Sequence, residues 1–175
     1  MTLFAQFESI HPFLDGNGRL GRILIALYLL QTKIIETPFF FLSEELEKEK
    51  FRYYSMLNGV RGIGKKEPDW ASWITFFLDT AERMAKHQFA KLDEAENLYE
   101  GGLQSFEQPS IAKVWGAMFE VPIATVPQLE KITGLAQGTI RKSLSYLVEK
   151  NMIFTDERIR HKRYYHYDLI RIMTE

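Results

Sequence analysis

Apolar positions along the chain change their pattern near its middle. From Gly18 to about Lys33 nearly every residue after Arg22 is apolar, which predicts one long helix buried among others, the core of the first half. Thr37-Pro38 ends that run. Ser43 is placed as an N-cap, Glu44 and Glu45 suit a first helical turn, and Leu46 to Leu57 continues the helix. Asn58 to Lys66 is glycine-rich and basic and reads as a loop. Glu67-Pro68-Asp69 then opens a helix from Trp70 to about Tyr99, with Trp70, Trp73, Ile74, Phe77, Leu78, Ala81 and Met84 at helical spacing as a core stripe. Gly101-Gly102, followed by Ser105, Gln108 and Pro109, is the strongest break in composition, and a domain boundary is expected between residues 100 and 109. Beyond it three short helices are predicted, over Ile111 to Phe119, Val126 to Ile132 and Thr139 to Asn151, with Gly134-Leu135 as a turn. Met152 to Thr155 and Arg163 to Tyr167 are β-prone runs flanking the charged stretch 156 to 162, a hairpin, and Leu169 to Met173 is a closing apolar element. The expected fold class is mainly α, a helical bundle followed by a small domain with a β-hairpin.

Composition narrows the functional classes. The 175 residues are 46% hydrophobic and 26% charged, enough for a sizeable core. Lys and Arg number 22 against 23 Asp and Glu, a net charge of −1, so any nucleic-acid or membrane affinity must be local. Without cysteine there is no disulfide, thiolate nucleophile or Cys-ligated zinc. The first residues lack a signal-peptide pattern, and the most apolar stretch, Ile23 to Leu30, is far shorter than the ~20 residues that span a bilayer. A cytoplasmic setting with no membrane partner is expected.

Residues 11 to 22 read HPFLDGNGRLGR, joining a titratable base, a carboxylate, a Gly-Asn-Gly turn and two arginines in twelve positions. Pro12 disfavours the α conformation at His11 and ends the preceding helix there, while Gly16 and Gly18 tolerate backbone angles that other residues resist. If Gly18 begins the next helix, the loop amides and the helix N-terminus converge on one spot of positive potential, a phosphate site by geometry. Arg19 and Arg22 lie on one face of the first turn, where the helix dipole favours acidic residues, so cations there call for an anion. Asp15 beside them suits Mg²⁺, which takes few carboxylates and several phosphate oxygens. His11 is placed as a general base near neutral pH. The competing structural reading is an ordinary Asp-Gly-Asn-Gly turn whose arginines pair with Glu8 or Asp15. Phe13 is expected to be a core anchor that seats the loop.

These residues resemble the signature of Fic domains, HPFx[D/E]GNGRxxR, at every position of the pattern. FAQFESIHPF before the motif, and YYSMLNGVR with DWASWITFFL after it, resemble the flanks of a bacterial Fic subgroup, so the likeness covers residues 4 to about 90 and implies a Fic-type core over 1–100 with a linker at 101–108. It implies a helical bundle and transfer of AMP from ATP to a Ser, Thr or Tyr hydroxyl of a protein, with self-modification as a further outcome. By position His11 would deprotonate the hydroxyl, Asp15 would hold Mg²⁺, and Gly16, Asn17 and Gly18 would bind phosphates. Arg19 and Arg22 would hold the β and γ phosphates. Related Doc toxins that donate phosphate carry Lys where this chain has Gly18, so AMP transfer is favoured. The family also carries a hairpin flap ahead of the motif, for which ten residues leave no room, and an inhibitory [S/T]xxxE[G/N] motif that has no match in this sequence. Impaired transfer to protein targets, a free Arg22 and self-association into homo-oligomers are the corresponding expectations.

The second half, 109–175, resembles the winged helix-turn-helix modules that follow this subgroup, with Thr139 to Lys150 as the candidate recognition helix. Gln137, Thr139, Arg141 and Lys142 are candidates to face DNA, and Arg158, Arg160, Lys162 and Arg163 form a local basic patch. Residues 101 to 175 hold ten basic and eight acidic residues, a net charge of only +2, so a DNA-binding or dimerising regulator whose Fic loop merely binds nucleotide is the alternative function. Tyr53 and Tyr54 read as packing residues, and Arg61, Lys65 and Lys66 as solvated charge. His87, His161 and His166 show no metal-ligand spacing.

Overall fold

The computed structural model describes residues 2–37, 41–64, 67–158 and 161–174. The chain is mainly helical and divides into two compact units, Met1–Gln88 and Phe89–Glu175. The first unit contains α1 (Thr2–Ile10), α2 (Asn17–Gln31), α3 (Ser43–Lys48), α4 (Lys50–Val60) and the first part of α5 (Trp70–Leu103). Its core is aromatic. Phe4 of α1 lies against Tyr53 of α4 and against Trp73 and Phe77 of α5, with ring centroids 6.1–6.4 Å apart. Each such buried side chain contributes ~1.5–3 kcal/mol by leaving water.

Two expectations change in this unit. The long apolar helix is present as α2, but only Asn17, Gly21 and Ile25 are buried on it, an i, i+4 stripe facing α1, while Ile23 and Leu27 remain 55% and 54% exposed. Helices of this unit pack along one side of α2, and Leu24, Ile25, Tyr28 and Leu29, with Leu3 and Phe7, border an open groove of about 550 Å³. The helix expected to run unbroken from Ser43 is two helices that meet at Glu49, whose φ of −112° and ψ of 33° interrupt the α geometry. At that junction the Arg83 guanidinium of α5 pairs with Glu49 and lies 3.7 Å from Glu45, tying it to a helix remote in sequence.

The second unit runs from the end of α5 through α6 (Pro109–Glu120), β1 (Ile123–Thr125), α7 (Val126–Thr133), α8 (Gln137–Glu149), β2 (Phe154–Thr155), β3 (Arg163–Tyr165) and α9 (Tyr167–Thr174). The sheet is antiparallel in the order β1-β3-β2, with Tyr165 opposite both Ile123 and Phe154. The expected hairpin is there as β2 and β3. Strand β1 was not legible, because three residues are too few to display alternation. The closing apolar element is a helix, α9, burying Leu169 and Ile172. Pro127 and a capping box between Thr125 and Gln128 start α7, and Gly134, at φ 68°, ends it.

Gly101 and Gly102, which read as linker, are helical, and the compact units divide at Gln88 instead. Only residues 104–108 of the expected linker lie between helices. Gly102 is small because Trp115 lies against it: a Cβ there would sit 2.5–2.6 Å from the indole, whose Nε1–H donates to the Tyr99 carbonyl at 3.1 Å. A Cβ on Gly101 meets nothing within 4 Å. Gly102→Ala is therefore expected to destabilise, overpacking at about 1–3 kcal/mol outweighing the gain in helix propensity. Gly101→Ala, with the same propensity gain and no clash, should stabilise by up to ~1 kcal/mol. Urea unfolding of both variants checks this, and equal effects at the two positions would contradict it.

Candidate functional site

The motif forms the connection from α1 to α2. His11 follows the last residue of α1 with φ at +50°, in the left-handed region, and its N–H donates to the Phe7 carbonyl at 3.0 Å. The following proline excludes the α conformation, and the left-handed one costs ~1–2 kcal/mol, a strain of the kind stored at functional sites. The imidazole is exposed at the edge of a cavity.

Asn17 shapes the loop. Its side chain, 3% exposed, accepts from the Phe13 N–H at 3.0 Å and donates from Nδ2 to the Phe13 carbonyl at 2.6 Å. The Phe13 ring points outward at 53% exposure, so Asn17 and not that ring seats the loop. Both side-chain amide atoms of Asn17 are thus engaged within the loop. Gly16 precedes α2 at φ 83°, a conformation that favours glycine, and α2 starts without a side-chain capping bond. The first amides of α2 thus lie without a side-chain cap at the positive end of its dipole.

His11, Gly18 and Arg22 line one cavity of about 490 Å³ together with Glu8, Ser9, Tyr53, Tyr54, Leu57 and Arg61. Asp15 and Arg19 are not among its lining residues; they pair with each other at 3.2 Å in an exposed contact, a bond worth about 0–1 kcal/mol and readily exchanged. The structure therefore gathers His11 and Arg22 and leaves Arg19 and Asp15 paired on the loop. Asp15, a hard oxygen donor with a nearly fully exposed side chain, fits a Mg²⁺ ion that takes its remaining ligands from water and phosphate.

Sequence reasoning missed two groups. Arg61, read as solvated charge, donates from Nη2 to the Glu8 carbonyl at 2.5 Å and from Nε to Ser9 Oγ at 3.3 Å, so it fastens the end of α4 to the end of α1. Its position 52 residues from Ser9 hid the contact, although its setting in a basic glycine-rich loop marked it. Glu8 is buried in the cavity wall, where desolvation raises its carboxyl above the usual range against the opposing charges of His11, Arg22 and Arg61. Burial, and Glu8 beside it, push the Tyr53 hydroxyl up as well, so Tyr53 is neutral. Lys65 and Lys66 lie outside the described residues.

In the second unit Arg141 and Lys162 line one cavity of about 330 Å³ with His161 and Tyr164, and Arg158 and Arg163 line another of about 480 Å³ that shares His161 and Thr125. Gln137 is occupied, donating to Glu130 at 2.7 Å and accepting from Arg141 at 3.0 Å. Thr139 and Lys142 line neither cavity, and Arg160 lies outside the described residues. The histidines are not all scattered: His87 comes within reach of Glu44 and Glu45, but Lys48 Nζ already sits 2.9 and 2.8 Å from those carboxylates. Among the described residues no helix is long and apolar enough to cross a membrane.

Against known proteins, residues 1–29 match the Fic/DOC family. Two relatives carry the likeness further. Over 33 residues the chain is 52% identical to a protein named "Probable protein adenylyltransferase" from Aquifex aeolicus (strain VF5), covering 19% of this chain and 10% of that protein. Over 27 residues it is 67% identical to a Fido domain-containing protein from Dictyostelium discoideum, covering 15% of this chain and 19% of the other. The chain thus spans between about a tenth and a fifth of these relatives, over stretches whose length fits the motif and its flanks.

Proposed function

We propose that the first unit carries the base and phosphate-binding elements of a Fic-type protein adenylyltransferase, using ATP with Mg²⁺ to modify a Ser, Thr or Tyr hydroxyl of a protein or of the chain itself. The observation that carries this reading is that His11, Gly18 and Arg22 open into the same cavity at the start of α2. Nucleotidyl transfer asks a protein mainly to position groups and neutralise developing charge. The target oxygen attacks the α-phosphorus, a new P–O bond forms, the α–β bridging P–O bond breaks, and pyrophosphate leaves. A neutral His11 nitrogen takes the hydroxyl proton as that bond forms. The amides at the start of α2 hold phosphate oxygens by their partial positive charge, and Arg22 holds a distal phosphate. Arg19 can leave Asp15 for a phosphate at small cost. Mg²⁺ held by Asp15 supplies further charge neutralisation. The test is the intact mass of the chain, alone and with candidate protein targets, after incubation with ATP and Mg²⁺. A gain of one adenylyl group supports the reading; binding of ATP without any gain would reduce it to a nucleotide-binding site.

A second reading concerns the other unit. The element order α6-β1-α7-α8-β2-β3 supports a winged helix-turn-helix, and the adjoining cavities gather Arg141, Arg158, Lys162 and Arg163 as a basic surface. If that surface binds duplex DNA, affinity should fall steeply with salt, and replacing Arg158 and Arg163 by alanine should reduce the log–log salt slope by about 2, since each phosphate contact contributes about 0.9. Fluorescence anisotropy with a labelled duplex measures both. No binding at low salt would leave dimerisation as the role of this unit.

A further inference from the structure

Glu8 Oε1 is buried and, among the described residues, has no hydrogen-bond partner. The side chain is 5% exposed and lines the cavity that holds His11 and Arg22. A carboxylate so placed is costly unless nearby cations compensate it. The groups that face it are His11 from the loop after its own helix, Arg22 from α2, and Tyr53 and Arg61 from α4 and its end. Tyr53 is neutral, and Arg61 spends two of its donors on the Glu8 carbonyl and Ser9. Arg22 is different. The point that a Gly18 Cβ would occupy lies 3.3 Å from Arg22 Nη1 and 3.7 Å from Glu8 Oε1, so guanidinium and carboxylate face each other across the bare backbone of Gly18. The same oxygen packs close to α2 at Gly21, where a Cβ would lie 2.8 Å from Oε1, so only glycine at that position leaves room for the carboxylate.

Resting on the nucleotide-binding reading above, we infer that Glu8 is a resident counter-ion that positions Arg22 in the cavity and competes with the phosphate groups of an incoming nucleotide for it. Anion binding and the charge of Glu8 are then coupled, and the coupling is reciprocal: whatever weakens Glu8's hold on Arg22 strengthens the hold of a phosphate by the same factor. A free cavity keeps its arginine oriented at the expense of affinity, and discriminates against ligands with too little charge to replace the carboxylate.

The experiment is titration calorimetry of the full chain with inorganic tripolyphosphate at pH 7.5 and low salt. Glu8→Gln, which keeps the shape and removes the charge, should bind about fivefold or more tightly than the unchanged chain, within the range typical of coupled sites. In an Arg22→Ala background the same substitution should bring no gain, because Glu8 acts through Arg22. Binding by the unchanged chain with no tightening in Glu8→Gln, or tightening that persists without Arg22, overturns the inference and leaves the nucleotide reading standing. Failure of every chain to bind tripolyphosphate overturns both. Should Glu8→Gln not fold, the unchanged chain still decides, since the Arg22 Nε resonance must shift as tripolyphosphate saturates the cavity, and a stationary resonance refutes the exchange.

Discussion

Replacing His11 by alanine is expected to lower AMP transfer by about 10²–10⁴-fold, the usual contribution of a positioned general base, while ATP binding persists. The separation of the two effects follows from the geometry. On the proposed reading phosphate charge would be met by the α2 amides and Arg22, none of which depends on the imidazole, and His11 is the one histidine that lines the cavity. Glu8 also lines the cavity, but its Oε1 is sealed from solvent. Mass spectrometry of the modified product, beside an ATP titration of the same variant, reads both quantities. Transfer by His11→Ala at the unchanged rate would show that the proton leaves by another route, and loss of ATP binding along with transfer would show that His11 serves the loop's conformation rather than the reaction.

The second large effect is on stability. His166 is fully buried between Trp115 and Phe119, with ring centroids 4.5 and 4.9 Å away. Its Nδ1 accepts the Leu169 N–H at 3.5 Å at the start of α9, and Nε2 has no partner among the described residues. Desolvation lowers its pKa to about 4 from 6.5, the nearby Asp168 only partly opposing. Because the unfolded chain takes up the proton first as pH falls, the stabilisation is complete above about pH 6.5. It drains away between there and pH 4 and then levels off, about 3 kcal/mol in all. Chemical unfolding followed by Trp115 fluorescence from pH 7.5 to 4 measures the slope. His166→Asn keeps a helix-capping acceptor and cannot titrate, so its slope over that window should be flatter by the same amount. Equal slopes in the two chains would mean that the imidazole reaches water in the folded state.

The shape of the motif loop was legible because it is local. Pro12 disfavours the α region at His11, and Gly16, at φ 83°, makes the turn that starts α2, so the placement of His11 relative to the helix N-terminus follows from twelve consecutive residues. Helix positions were legible for the same reason: Pro109, Pro127, Gly134 and the apolar spacing act within a turn or two of themselves.

What the sequence could not convey is what each side chain meets. Nothing in the sequence shows that the Phe13 backbone meets both amide atoms of Asn17. The junction at Glu49 is tied to Arg83, and the place of Arg61 depends on Ser9 and the Glu8 carbonyl, each far along the chain. Gly102 read as a linker because glycine is poor in helices, whereas the packing of Trp115 makes it the residue that fits. By itself, then, the sequence determined most of the helices, the hairpin and the loop that leads into α2, all governed by backbone sterics and neighbouring residues. Only the tertiary structure decided which charges share the cavity, because burial and pairing are set by contacts between segments that no local pattern encodes.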